Sequence, residues 1–259
     1  VEVTQAVLNR ITACEPHIHA VWQTHADEAL AQAAESEKRW RSGQPKSLLD
    51  GIPVTLKENI ATRGVPVPLG SAATELVPAP ADAPAAARLR ESGAVLVAKT
   101  TMPDFGLLAA AASSFHPLTR NPWNTRLNTG GSSSGAGAAA AAGYGPLHLG
   151  TDIGGSVRIP ASFCGVFGLK PSQGRVPTDP PAPARVIGPL TRTVEDAALL
   201  MSIVAQPDSR DYTSLPAQTL DWLQLEKPLQ GLRLGLWLEP AADWTVDHEV
   251  RAAILAAAR

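Results

Sequence analysis

The chain has 259 residues, enough for one large domain or two modest ones, and is 44% hydrophobic and 18% charged, so it buries a core and is not disordered. Its formal net charge is -2, from 22 basic and 24 acidic residues, which argues against a surface built for nucleic acid or anionic membrane. Cys14 and Cys164 are too few for a disulfide framework and lack metal-ligand spacing, and no long apolar run free of charges is present to cross a membrane. The opening VEVTQAVLNR is amphipathic and has no signal-peptide core, so a reducing cytoplasm is the expected compartment.

In chain order, Val3, Ala6, Val7 and Ile11 recur at helical spacing over Val3 to Thr12, with Thr4 as the expected cap. A more polar helix is expected over 27–41, ending near Gly43 and Pro45. In LLDGIPVTLKEN, Ile52, Val54 and Leu56 alternate with Pro53, Thr55 and Lys57 as in a strand. Residues 84–92 read as a helix closed by Gly93, and AVLVAK after it as a buried strand. A helix leading into a short apolar strand points to layered α/β architecture. After a glycine-rich middle and a proline-rich loop, GPLTRTVEDAALLMSIVA predicts a helix opened by Thr191 or Thr193. LRLGLWLE predicts a further strand, and a last helix opens at Asp247. The chain starts at Val1 rather than Met and stops within that helical pattern, so a piece of something longer is expected.

The segment from Gly130 to Gly155 admits several readings. A flexible linker would not run on into LHLGTDIGG, which has buried-strand character. Gly135, Gly137 and Ala140 fit a G-x-G-x-x-A dinucleotide fingerprint, but WNTRLNTGGSSS before it is no hydrophobic strand, and Asp152 stands too near to serve as the ribose partner. Gly131, Ser133 and Gly135 fit G-x-S-x-G, yet neither His116 nor His148 sits in a His–Asp context, and each reads as a surface or packing histidine. Ser156 follows Gly154 and Gly155, whose freedom lets successive N–H groups converge on an oxyanion. Its base need not be histidine, since a desolvated lysine can accept the proton, and Lys57 at the end of an apolar strand is the candidate.

Four blocks, GIPVTLKEN, NTGGSSSGAG, LGTDIGGSVRIPASFCGVFGLKPSQGRVP and GPLTRTVEDAALL, occur in this order between Gly51 and Ala205. Together they resemble the amidase signature family, with GTDIGGSVRIP the most specific. The resemblance implies an α/β fold, an α/β/α sandwich with a mixed central sheet, incomplete at the C-terminus. It also implies a single amidase domain: N-terminal helices in 1–45, a catalytic core in 46–205 and the start of a C-terminal part in 206–259. By motif position Ser156 is the acylating nucleophile, Ser132 the bridging serine after a cis Gly131–Ser132 peptide, and Lys57 the terminal base. The backbone N–H groups of Ile153, Gly154 and Gly155 would receive the oxyanion.

The implied activity is hydrolysis of linear carboxamide C–N bonds, with no metal or organic cofactor. The implied partner is a small-molecule amide, with no nucleic acid or membrane expected and a homodimer among the assemblies open to it. Two other readings stand beside it: the glutaminase subunit of a tRNA-dependent amidotransferase, and a nucleotide-binding module built on Gly135 to Ala140. Many relatives carry GGSSGG where this chain has GGSSSGAG, so Ser134 replaces a glycine. The loop 177–185 is short and proline-rich for the family and is expected to shape the substrate entrance. Arg158 is expected to pair with Asp152, and Cys164 to be a buried small residue.

Overall fold

The computed structural model describes residues 1–226, 230–233, 235–239 and 245–258. They fall into two compact units, Val1–Leu223 and Gln224–Arg259.

The first unit opens with helix α1 (Glu2–Ile18), the short strand β1 (Val21–Thr24) and helix α2 (Ala26–Arg41). Thr4 does not cap α1: the helix begins at Glu2, and Thr4 lies buried inside it because it falls on the face turned to the core. Strand β2 (Pro53–Lys57) follows, then helix α3 (Pro84–Ser92) and strand β3 (Val95–Thr100). Helix α3 has proline at its first position and ends at Gly93, whose φ of 86° is left-handed; a Cβ there would also meet the Asp50 carboxylate at 2.4 Å. A small hairpin pairs β4 (Arg120–Asn121) with β5 (Asn124–Asn128). Next come helix α4 (Ser134–Ala142), strand β6 (Leu147–Asp152), the short helix α5 (Arg158–Cys164), strands β7 (Phe167–Gly168) and β8 (Val186–Thr191), and helix α6 (Val194–Val204). Thr193 caps α6, its hydroxyl accepting from the N–H of Asp196.

The strands form a mixed six-stranded sheet in the order β1-β3-β2-β6-β8-β7, parallel through β3, β2 and β6 and antiparallel elsewhere. Helices α3 and α6 cover one face, packing Leu89, Leu200 and Val204 against Val54, Leu56, Leu96, Leu147 and Leu149. Helices α1, α2 and α4 cover the other, where Val7, Ile11, Ala29 and Ala139 meet Val95 and Val97. The result is the α/β/α sandwich. Covered on both faces and paired on both edges, β2 buries all five residues, so alternation along GIPVTLK sorts them between two cores and not between core and solvent.

Helix α4 accounts for part of the glycine-rich middle. Apart from Ala141 its residues are all buried, and Gly135 lies so close to its neighbours that a Cβ would stand 2.2 Å from the Ala20 carbonyl and 2.4 Å from the Thr101 nitrogen. A Cβ on Gly137 would press on Pro160 of α5 at 2.9 Å. These glycines let a helix sink into the sheet; they are not arranged around a phosphate.

In the second unit, helix α7 (His248–Ala257) is capped by Asp247, which accepts from the N–H of Glu249. Residue 234 of the expected strand 232–239 lies outside the described residues, and its described neighbours form no strand. Among the described residues no helix is long and apolar enough to cross a membrane.

Candidate active site

Lys57 ends β2, and the parallel register that sets Leu56 opposite Leu149 brings it beside Thr151 near the end of β6. Its Nζ, fully buried, lies 2.7 Å from Ser132 Oγ, 2.9 Å from Thr151 Oγ1 and 3.2 Å from Ser133 Oγ. Burial is the main cause pulling its pKa down, to about 7; Glu58 and Asp152 pull it back up, and Arg185 pushes it lower. An amine near neutrality has two N–H bonds and one lone pair for these three hydroxyls, so one hydroxyl must donate to it. Ser133 is poorly suited, because its hydroxyl donates to the Thr151 carbonyl at 3.1 Å. Thr151 Oγ1 already accepts from Asn59 Nδ2 at 3.1 Å. Ser132, just before α4 and joined to Gly131 by a cis peptide, has Lys57 as its hydroxyl's partner among the described residues.

Ser156 stands on the turn between β6 and α5 and is partly open to solvent. No side-chain hydrogen bond joins it to Ser132 among the described residues; the two loops meet through the backbone, the Ser133 N–H donating to the Ser156 carbonyl at 3.0 Å. The turn is organised by buried Asp152. Its carboxylate accepts from the N–H of Gly155 at 2.8 Å and of Val157 at 3.0 Å, and from the Arg158 guanidinium at 2.9 and 3.0 Å. Burial would raise the Asp152 pKa, but Arg158 and these N–H groups outweigh it and hold it at about 2. Gly155, with φ of 119°, has its N–H committed to Asp152, whereas the N–H groups of Ile153 and Gly154 have no protein acceptor among the described residues.

The Arg158–Asp152 pair is the one expected from the sequence, and Cys164 is buried, which raises its thiol pKa to about 12. His116 is no surface residue: it is buried, its Nε2 lying 2.7 Å from Glu58 Oε2. His148 is wholly buried between Thr55 and the Gly145 carbonyl, and burial lowers its pKa to about 4, so it packs inside the sheet. Sequence reasoning missed Thr151 and Glu58. Thr151 had a signal, lying within GTDIGGS; Glu58 had none beyond its place after Lys57. Among the described residues no group of three or more His, Cys, Asp or Glu could hold a metal ion.

A mixed sheet sandwiched by helices, with a buried lysine meeting a serine cluster at its carboxyl edge, defines a class of hydrolase-like α/β protein. The chain belongs to the amidase family, whose model, described as Amidase, matches residues 2–259. It is 41% identical over 261 residues to a subunit of the glutamyl-tRNA(Gln) amidotransferase of Thermosynechococcus vestitus, covering 99% of this chain and 54% of that protein. A solved structure from work on a vestigial protein complex and the origins of an s-triazine catabolic enzyme aligns with a TM-score of 0.78 at 36% identity, over 84% of this chain and 49% of that one. The peptide amidase of Stenotrophomonas maltophilia aligns with a TM-score of 0.76 at 33% identity, over 84% of this chain and 47% of that one. The chain spans about half the length of the curated relatives it matches.

Proposed function

We propose that the protein is an amidohydrolase cleaving linear carboxamide C–N bonds, with Ser156 as nucleophile, Ser132 as bridging serine and Lys57 as base. The observation that carries this is the buried Lys57 amine, lowered to about 7 and 2.7 Å from Ser132 Oγ. Neutral Lys57 takes the Ser132 proton as Ser132 takes that of Ser156, and the Ser156 oxygen bonds to the amide carbon. The oxyanion is received by the N–H groups of Ile153 and Gly154, with Gly155 holding the turn through Asp152. The C–N bond then breaks, the proton returning from Lys57 through Ser132 to the leaving nitrogen. Water then attacks the acyl carbon, giving a proton through Ser132 to Lys57, and the ester C–O bond breaks as that proton returns to the Ser156 oxygen.

The family match across 2–259 favours one amidase domain acting on a small amide, and the two free cysteines fit the cytoplasm. The test is covalent labelling by a fluorophosphonate. Ser156→Ala is expected to abolish it, and labelling that persists in this variant overturns the assignment.

The 41% identity to one component of an amidotransferase favours a second reading, a glutaminase working within a complex. Glutamine hydrolysis together with a partner protein that co-purifies would select it over the free amidase.

A further inference from the structure

Glu58 follows Lys57 directly, and its backbone N–H donates to the Thr100 carbonyl, fixing it past the end of β2. Its side chain is wholly buried. One carboxylate oxygen, Oε2, meets His116 Nε2 at 2.7 Å, while the other, Oε1, has no hydrogen-bond partner among the described residues. The imidazole is held in turn by aromatic rings: Phe115 packs edge-on at 4.9 Å between centroids and Trp22 lies at 6.2 Å. Two other buried carboxylates are treated differently. Asp50 is clamped by the Arg39 guanidinium and Asp152 by that of Arg158, each a permanent cation with backbone N–H support. Glu58 has no such cation in contact, so its charge is left to act across the low-dielectric interior.

What it acts on is the pair of buried amines. Lys57 is faced by Glu58, by Asp152 from β6 and by Arg185 just before β8. Lys99 on β3 is faced by Glu58, Asp82 and Arg90, with His25 nearby. Asp152 is paired with Arg158 and Asp82 with Arg90, which leaves Glu58 as the carboxylate common to both lysines that no arginine contacts among the described residues.

We propose that Glu58 and His116 form a positioning pair that holds the Glu58 carboxylate behind Lys57 and thereby sets the pH at which the lysine can act as a base. The imidazole fixes the carboxylate through the 2.7 Å hydrogen bond between Nε2 and Oε2. This deepens the amidohydrolase reading, and on that reading the pair tunes the acylation rate without touching substrate.

The lysine titration is read directly by NMR on the 259-residue chain with isotope-labelled lysine, the Lys57 signal being identified by its loss in Lys57→Arg. In Glu58→Gln the Lys57 midpoint should fall by about half a pH unit or more, the size expected when an opposite charge nearby is removed. His116→Gln, which keeps an N–H donor for the carboxylate, should leave the midpoint in place. On fluorophosphonate labelling, the rising limb of rate against pH should move with the Lys57 midpoint in Glu58→Gln. An unmoved Lys57 midpoint in a folded Glu58→Gln chain overturns the proposal, as does a midpoint that shifts in His116→Gln as far as in Glu58→Gln. If Glu58→Gln does not fold, Glu58→Leu combined with His116→Phe, which removes the charge and its partner together and fills the space with apolar groups, serves instead, and an unmoved Lys57 midpoint there overturns the proposal. Absence of labelling in the unaltered chain would count against the amidohydrolase reading alone, since the NMR midpoint reports on the pair without activity.

Discussion

Lys57 and Lys99 leave neighbouring parallel strands, Lys99 opposite Leu56 and Lys57 opposite Thr100. Both amines are buried, and burial is the main cause taking each down to about 7. Their partners differ. Lys57 meets three hydroxyls, one of them on a serine with no other hydroxyl partner, whereas Lys99 donates to the Ile60 carbonyl and to Thr62 Oγ1 at 2.8 Å. A carbonyl has no proton to give, and the Thr62 hydroxyl directs its own to the Ile60 carbonyl at 3.4 Å. Burial alone therefore makes an amine that is neutral near pH 7, and it takes a hydroxyl able to give up its proton to make that amine a base. In the proposed mechanism Lys57 is the base, while Lys99 ties the loop 60–62 to the sheet.

The sharpest way to break the comparison is to delete each amine in turn. Lys57→Ala is expected to slow fluorophosphonate labelling of Ser156 by about 100-fold or more, the usual scale for losing a general base. Lys99→Ala should leave a folded chain that labels at close to the unaltered rate. Equal losses in the two variants would mean that the hydroxyl partners do not distinguish the lysines.

Stability against pH tests what the two have in common. An unfolded lysine titrates at 10.5, and in the folded chain each of these does so at about 7. Between those values the unfolded chain holds a proton that the folded chain has released. Stability thus rises with pH across this window by roughly 1.4 kcal/mol per pH unit for each lysine, and is lost again as pH falls towards 7. Lys57→Met and Lys99→Met should each remove one such slope, seen in urea midpoints measured from about pH 7.5 to 10. A flattening in only one variant would show that burial does not treat the two alike.

How far this contrast could be read from the sequence follows from the range of the contacts. Helix α3 with its Gly93 end and the Thr193 cap of α6 are local, set within a few residues, and they stand where the sequence places them. The Arg158–Asp152 pair is local too, six residues apart. Lys57 meets Ser132 across 75 residues and Thr151 across 94; the β2–β6 register makes the second contact, and the first comes from the loop that leads into α4. The family resemblance carried the first of these; the second had only the place of Thr151 within GTDIGGS as a signal. His116 reads as an isolated histidine because its partner Glu58 lies 58 residues away, with no pattern linking them. Thr4 shows the opposite error, a good capping residue overridden by the burial of its helix face.

The smallest expected effect separates the lysines by their threonines. Thr151 Oγ1 accepts from both Lys57 Nζ and Asn59 Nδ2, so Thr151→Val removes one of the two acceptors of the neutral amine and leaves an amide hydrogen without a partner. A single hydrogen bond of this kind is worth about 1 kcal/mol, so labelling should slow by roughly five- to tenfold. The Thr62 hydroxyl is likewise buried and accepts from Lys99, so Thr62→Val should cost a similar amount, about 1 kcal/mol, in urea unfolding. Its labelling rate should not move, because no proton passes through Lys99. If Thr62→Val slows labelling as much as Thr151→Val does, the two amines are coupled through the strand pair, and Lys99 is more than a tie.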